Sequence, residues 1–512
     1  MKREKPSEGI VQASYTFTTT LLTMLIGILI GIALARFLGP ANYGVFGIIL
    51  SLSILFRAIA DLGVSASATY YISNSLAKKN PRFIRSILSS AWKLRLFSTT
   101  LSCLLCISLA KVFSAIFNID TYLFYVLAVI VLFSSVFNLF QGIFRGFRCL
   151  GYTAISQVSG ETIKLLVATG LVLFGFGVFG ATIGVIAGFM ASVLLASLLF
   201  MYKIWPKYSS LSKLSECLDS KLLKYGSFFF IYTTAWLFIA KTDVILLSSL
   251  RTHHEVGIYV AGVAIASLLM LVPLAIVEIL FPSVTMKKAV SDSDAIRNIY
   301  FRCMKFAGIL NFPAAVLMGT FAAPVIAIAL TSQYLETANV LWLLLFMTIL
   351  HSFAHIASFT LTGIGDSKKL AHVFLFQAGL NFILNLFFIP LYGIYGAAFA
   401  TLTSYLFTAI ILHSILKKSA KVRFPTTLWK AAAASIALFL FVYPFSATSS
   451  LLSIILLSFA GMFLYFILLA LIGGIDNEDI RIFKELSKML GPFKGLSLKF
   501  IALLEAAKSI FL

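Results

Sequence analysis

The sequence predicts an all-α polytopic membrane protein with about 14 transmembrane helices. Three observations carry that prediction: the apolar excess, the length of the apolar runs, and the alternation of basic residues between them. Of the 512 residues, 60% are hydrophobic and 12% charged, whereas soluble domains run at about 45–50% apolar and ~25% charged. So much apolar side chain has no soluble interior to fill. A helical span takes roughly 20 residues, so ~14 spans fit within the chain. These figures exclude a secreted, collagenous, disordered or nucleic-acid-binding protein. The net charge of +21 reads as loop charge on the inner side of a membrane.

The apolar segments fall at 14–35, 44–72, 86–110, 121–144, 154–175, 178–202, 222–250, 256–281, 300–330, 338–362, 370–390, 394–416, 428–446 and 450–473. Lipid admits only helices or closed barrels, and these continuous runs do not alternate as barrel strands do. The run from Tyr15 to Ala35 follows a basic beginning, Lys2, Arg3 and Lys5. It is too long for a signal-peptide core and has no clear small-residue cleavage site, so it reads as the first span. Beyond Gly474 the apolar residues recur at three to four with Lys between them. That pattern predicts amphipathic helices lying on the membrane surface.

An even count puts both termini on one side. With a cytoplasmic N-terminus, and with Lys224, Arg302, Lys305 and Lys430 near the segment ends counted with the adjoining loops, the inside set holds 32 Lys and Arg and the outside loops hold 3, with 5 more inside spans. This bias sets the orientation and supports the segmentation. The five cysteines are scattered in or beside apolar segments and form no disulfide framework. Cys103 and Cys106 make a CxxC within an apolar run, where packing is the better reading.

The chain also repeats itself. Gly177-Val-Phe-Gly180-Ala181 after the fifth span matches Gly393-Ile-Tyr-Gly396-Ala397 after the eleventh; Gln157 matches Gln377; Tyr43-Gly44-Val45-Phe46 matches Val256-Gly257-Ile258-Tyr259. The offsets are 216, 220 and 213 residues, in the same order. Two six-span lobes related by a pseudo-two-fold axis along the membrane normal follow as the expectation. They are an N-terminal lobe (1–202), a cytoplasmic linker (203–221), a second lobe (222–416), two additional helices (428–474) and a cytoplasmic amphipathic tail (475–512).

The stretches ARFLGPANYGVFGI, ADLGVSASATYYIS, KTDVILLSSLRTHHEVGIYVAG, LVPLAIVEILFPSV and IPLYGIYGAAFATLTSY occur in this order. Together they resemble the polysaccharide and O-antigen flippase family, within the multidrug/oligosaccharidyl-lipid/polysaccharide exporter superfamily, over about residues 10–470. The resemblance implies two lobes facing a central cavity. It also implies a cargo of sugars on a polyprenyl (pyro)phosphate, moved from inner to outer leaflet.

Charges inside spans are expensive and tend to face a cavity or a partner. Arg57 and Asp61 stand four apart in the second span. Either Arg57 meets a lipid phosphate with Asp61 tuning it, or the two form a structural i,i+4 pair. Lys241 and Asp243, two apart in the seventh span, point about 200° from one another and need separate partners. Asp243 matches an acid that recurs in the resembled family, and Lys241 falls where a cation would meet an anionic head group. Glu161 and Lys164 are three apart and read as a pair, with Lys164 a further candidate cavity cation. Glu278, between Pro273 and Pro282, is expected to be a buried, unpaired carboxylate able to carry a proton or hold a cation. Lys93 and Arg95 near the start of the third span read as snorkelling cations. His351 and His355 have metal-compatible spacing but no local acid or Cys, so they read as packed, and no metal or other cofactor is expected.

No Walker A pattern, GxSxG elbow or HExxH is present. Those chemistries are therefore unsupported, and what the resemblance implies is a flippase in the cytoplasmic membrane, a transporter and not an enzyme. Its partners would be the lipid-linked sugar and membrane lipids, with H+ or Na+ supplying energy, and no nucleic acid. Two rivals differ in class. An ion-coupled exporter of drugs or organic cations would favour acids in its spans, whereas here five span charges are basic and four acidic. A membrane glycosyltransferase or polymerase would need a large outward loop, and the outward loops here are short.

Overall fold

The computed structural model describes residues 6–209, 218–448, 450–487 and 494–509, and among them there is helix and no strand. Among the described residues, ten helices are long and apolar enough to cross a membrane, or eleven when a pair bent by 51° is taken as one span. The fourteen expected segments fall mostly on helix, but 44–72 is broken at Leu62–Gly63, 86–110 at Leu109 and 300–330 at Phe321. Two pairs of them adjoin across a single glycine whose backbone is not helical, Gly39 and Gly393. Multiple apolar spans make this a multi-pass membrane protein.

Contacts divide the chain into two units. The first takes residues 1–264 and 371–404. It contains α1 (Pro6–Asp61), α2 (Val64–Ala77), α3 (Pro81–Ser108), α4 (Ala110–Phe117), α5 (Thr121–Gly146), α6 (Leu150–Leu173), α7 (Gly177–Leu199), the short α8 (Pro206–Ser209), α9 (Asp219–Leu250) and most of α10 (His253–Ala266). The second takes residues 265–370 and 405–512. It contains α11 (Leu271–Ala289), α12 (Ser293–Thr320), α13 (Ala322–Ala329) and α14 (Glu336–Gly363). The helix α15 (Ser367–Ala420) contributes to both units, and α16 (Thr427–Val442), α17 (Leu451–Leu471), α18 (Asn477–Ser487) and α19 (Lys494–Ser509) complete the second.

Local sequence explains the bends. In α1 the break is at Gly39 (φ 71°), before Pro40; in α15 it is at Gly393 (φ 55°), after Pro390. A left-handed residue there frees carbonyls one turn earlier. In α15 those carbonyls are answered: the Arg251 guanidinium donates to Ile389 O at 3.2 Å and Pro390 O at 2.8 Å. Gly177, matched to Gly393 in the repeat, also has a positive φ, 53°.

Within the first unit, α2 lies along the start of α9. Gly63 sits so close that a Cβ would stand 2.0 Å from Gly226 O. The Ser67 hydroxyl donates to Leu222 O (2.7 Å), and Tyr70 stacks on Tyr225 at 4.3 Å. Only a side chain of zero size permits this backbone approach.

In the second unit, α18 and α19 fold back on α12, α16 and α17. Ile480, Ile501, Leu504 and Ala507 are buried with Ile309, Leu438, Tyr465 and Leu469. These four apolar side chains of the tail are therefore covered by this protein, while Leu498 and Leu503 stay exposed. Polar contacts fix it. Lys305, 3% exposed on α12, pairs with Asp476 (2.8 Å) and Asp479, and Arg302 pairs with Glu478. Burial would raise the Asp476 carboxyl, but the Lys305 ammonium and the N–H groups of Asp479 and Glu478 outweigh it and hold it at about 2. Burial pushes Asp479 up.

Candidate functional site

Asp61 ends α1, where Leu62 and Gly63 take positive φ to start α2. Its partner is Arg95 and not Arg57, so the expected i,i+4 pair does not form. Arg95 is fully buried, which corrects the snorkelling expectation. It donates to Ala60 O (3.0 Å), to Ser65 Oγ (2.6 Å) and to Asp61 Oδ1. The Ser65 hydroxyl also bonds Asp61 Oδ1 at 2.7 Å. A guanidinium has the geometry to reach three acceptors from one buried position. Lys93 is exposed and pairs with Asp219 at 2.7 Å.

With Asp61 taken by Arg95, Arg57 is released. It is half-buried and forms no hydrogen bond or ion pair among the described residues. It remains within electrostatic reach of Asp61 and Arg95. Lys241 on α9 is also half-buried and forms no such bond. It feels both Asp243 and Arg57. The fold therefore brings together two cations, from helices nearly two hundred residues apart in sequence, with neither neutralised by a direct partner.

Asp243 is buried and caged by hydroxyl and amide donors. Tyr259 OH and Thr401 Oγ1 each donate to Oδ2 at 2.7 Å. Asn385 Nδ2 donates to Oδ1 at 2.8 Å and to Asn381 Oδ1 at 3.1 Å, while Asn381 Nδ2 donates to Thr401 Oγ1 at 2.8 Å. One carboxylate is thus surrounded by oxygen-bearing groups from α9, α10 and both arms of α15. Carboxylate, hydroxyl and amide oxygens are the ligands of hard cations, and the same carboxylate can take a proton.

The other candidates stand apart from this network. Glu161 and Lys164 form the expected pair at 2.5 Å, and the Lys164 ammonium lies 5.9 Å from the Phe189 ring centre. Lys164 is therefore already neutralised. Glu278 on α11 is exposed, contrary to the expected burial. Its neighbours Val277 and Leu280 take the buried side of the helix. His351 stacks on Tyr405 at 4.4 Å, and among the described residues no group of three His, Cys, Asp or Glu is placed to hold a metal.

Sequence reasoning misread Arg95 as a snorkelling cation and missed Tyr259, Asn381, Asn385 and Thr401. For the amides there was a signal: Gln377, Asn381 and Asn385 recur every four residues in an apolar helix, so they share one face.

A family model described as polysaccharide biosynthesis protein matches residues 11–288. The uncharacterized membrane protein MJ1068 of Methanocaldococcus jannaschii is 24% identical over 301 residues, covering 58% of this chain and 59% of that protein. The chain thus spans less than two thirds of that relative. The probable low-salt glycan biosynthesis flippase Agl15 of Haloferax volcanii is 23% identical over 397 residues, covering 76% of this chain and 79% of that one. Among solved structures, lipid II flippase MurJ in an inward closed conformation matches with a TM-score of 0.72 and 14% identity, over 90% of this chain and 98% of that chain. That likeness shows the fold.

Proposed function

The chain belongs to the polysaccharide biosynthesis protein family, and from that premise we propose that it is a lipid-linked glycan flippase. It moves an oligosaccharide or polysaccharide unit on a polyprenyl (pyro)phosphate from the inner to the outer leaflet of the cytoplasmic membrane. Alternating access carries the sugar and phosphate through the protein while the polyprenyl chain stays in lipid. Both termini are cytoplasmic.

One observation supports this cargo above others: Arg57 and Lys241 face each other's field with no bonded counter-charge. A cation in an apolar span costs about 2.5–3.5 kcal/mol on insertion scales. Two such cations near one another also repel. An anion between them offsets both costs, so the pair suits a phosphate and disfavours a cationic drug. The caged Asp243 is the coupling site, taking H+ or Na+ from a gradient.

The test is transport of a fluorescent lipid-linked sugar in reconstituted vesicles. Losing one charge-assisted contact, worth roughly 1.5–3 kcal/mol, weakens binding about tenfold to a hundredfold. Arg57→Ala and Lys241→Ala are expected to lower flipping by that order at normal protein levels. Arg57→Lys keeps part of the activity, because the charge survives and the bidentate fork does not. Undiminished flipping by the double alanine variant overturns the proposal.

A further inference from the structure

We infer that the outward side of α19, with Lys494, Leu498, Lys499, Ala502 and Leu503, binds anionic phospholipid in the leaflet where α17 ends, so that headgroups hold the tail against the span it follows. That leaflet is the cytoplasmic one in the orientation proposed above, and the binding itself requires only that α17 crosses the membrane.

The level of α19 is set by what it touches on α17. The 21 residues of α17 measure about 31 Å as a helix, matching the ~30 Å thickness of a hydrocarbon core. The Phe500 ring of α19 lies 5.4 Å from that of Phe463 and 6.0 Å from that of Phe466. Phe463 stands about 12 Å before Leu471, the last residue of α17. Helix α19 therefore runs beside the last two turns of the span and not beyond them. Interfacial helices sink their apolar side about 5–10 Å into the same zone.

The two sides of α19 are distinct. Ile501, Leu504 and Ala507 are buried against the protein. Lys494, Leu498, Lys499, Ala502 and Leu503 are exposed. At about 100° per residue these five share one half of the helix surface. Leucines at this depth meet acyl chains, and lysines beside them lay their apolar stems along the same chains and carry the ammonium to the phosphates.

The charges of the tail select the headgroup. Four of its acids are answered by this protein: Asp476 and Asp479 by Lys305, Glu478 by Arg302, and Glu505, on α19 itself, by Lys484 at 2.6 Å. Lys508 donates to Asn477 Oδ1. Arg481, Lys494 and Lys499 are exposed and form no hydrogen bond or ion pair among the described residues. The charge these three leave unanswered is positive, and a leaflet of anionic headgroups answers it. A zwitterionic headgroup brings no net charge to the same place.

Two measurements on the full-length protein test this. In the first, phosphatidylglycerol or phosphatidylcholine is titrated into protein in detergent while the melting temperature is read. Phosphatidylglycerol is expected to raise it at lower concentration than phosphatidylcholine. With Lys494→Gln and Lys499→Gln the half-saturating phosphatidylglycerol rises about fivefold for each lysine removed. The melting temperature without lipid stays as in the wild type, because neither ammonium bonds the protein. In the second, Leu498→Trp protein is reconstituted in vesicles of phosphatidylglycerol brominated on its acyl chains. The emission added to that of the five native tryptophans is expected to be quenched. This reading stands where the glutamine variants fail to fold. A wild type that responds alike to both lipids overturns the proposal, as does a double glutamine variant with wild-type half-saturation. An added tryptophan left unquenched also overturns it, since that side of α19 then meets water or a soluble partner.

Discussion

Arg95 and Arg57 lie on neighbouring helices, and Asp61 bonds only one of them. The consequence is a division of labour between two arginines. Arg95 is enclosed with its carboxylate, so removing it leaves a buried charge without its partner, at a cost of about 3–5 kcal/mol. Arg95→Ala is therefore expected to lower the yield of monodisperse protein after detergent extraction, and Arg95→Lys does not restore it, because one ammonium cannot reach all three acceptors. Arg57→Ala in the same assay leaves the yield unchanged. The sequence showed both arginines and the acid, but local spacing favours the i,i+4 partner, and the contact that forms spans 34 residues. Asp243 was legible as a lone acid in an apolar run. Its cage was not, since hydroxyls and amides are common in spans and only their four-residue spacing distinguishes these.

Helix α2 meets α9 through backbone. A Cβ on Gly226 would stand 2.9 Å from the Gly63 carbonyl, so Gly226→Leu must part the two helices. Overpacking of this kind costs typically 1–3 kcal/mol, so thermal unfolding in detergent should show a lower midpoint for Gly226→Leu and a smaller shift for Ser67→Ala. The docking of α18 has a pH signature. The depressed Asp476 carboxyl contributes stability that is full above the ordinary Asp value, ~3.9, and is lost as pH falls through the folded value of about 2. The difference in proteolytic resistance between wild type and Asp476→Asn is therefore expected to be complete above about pH 4 and to vanish below about pH 2. The amphipathic pattern of the tail was readable from its spacing. What covers its apolar face was not, because the covering residues, such as Leu438 and Tyr465, are themselves plain members of apolar runs.

Across the whole molecule, the charge alternation gives the most direct test of topology. Reporter fusions at Thr121 and Ser332 are expected to read outside, and fusions at Lys79 and Lys418 inside. An inverted reading at any adjacent pair breaks the assignment. Run length and charge located most of the long apolar helices, because lipid imposes one length scale on them, but not the breaks at Leu62–Gly63, Leu109 and Phe321 that fall inside expected segments. The expected links at 36–43 and 391–393 contain Gly39 and Gly393, where the backbone leaves the helix.

The lock between Lys305 and Asp479 joins residues 174 positions apart. At about 5–20 residues per second, roughly 9–35 s of synthesis separate the ammonium from its carboxylates. Through that interval the nascent chain holds a lone cation in a helix otherwise ready to pack. The later segment thus answers a charge left by the earlier one. A chain truncated before residue 476 keeps the Lys305 ammonium without either of its carboxylates.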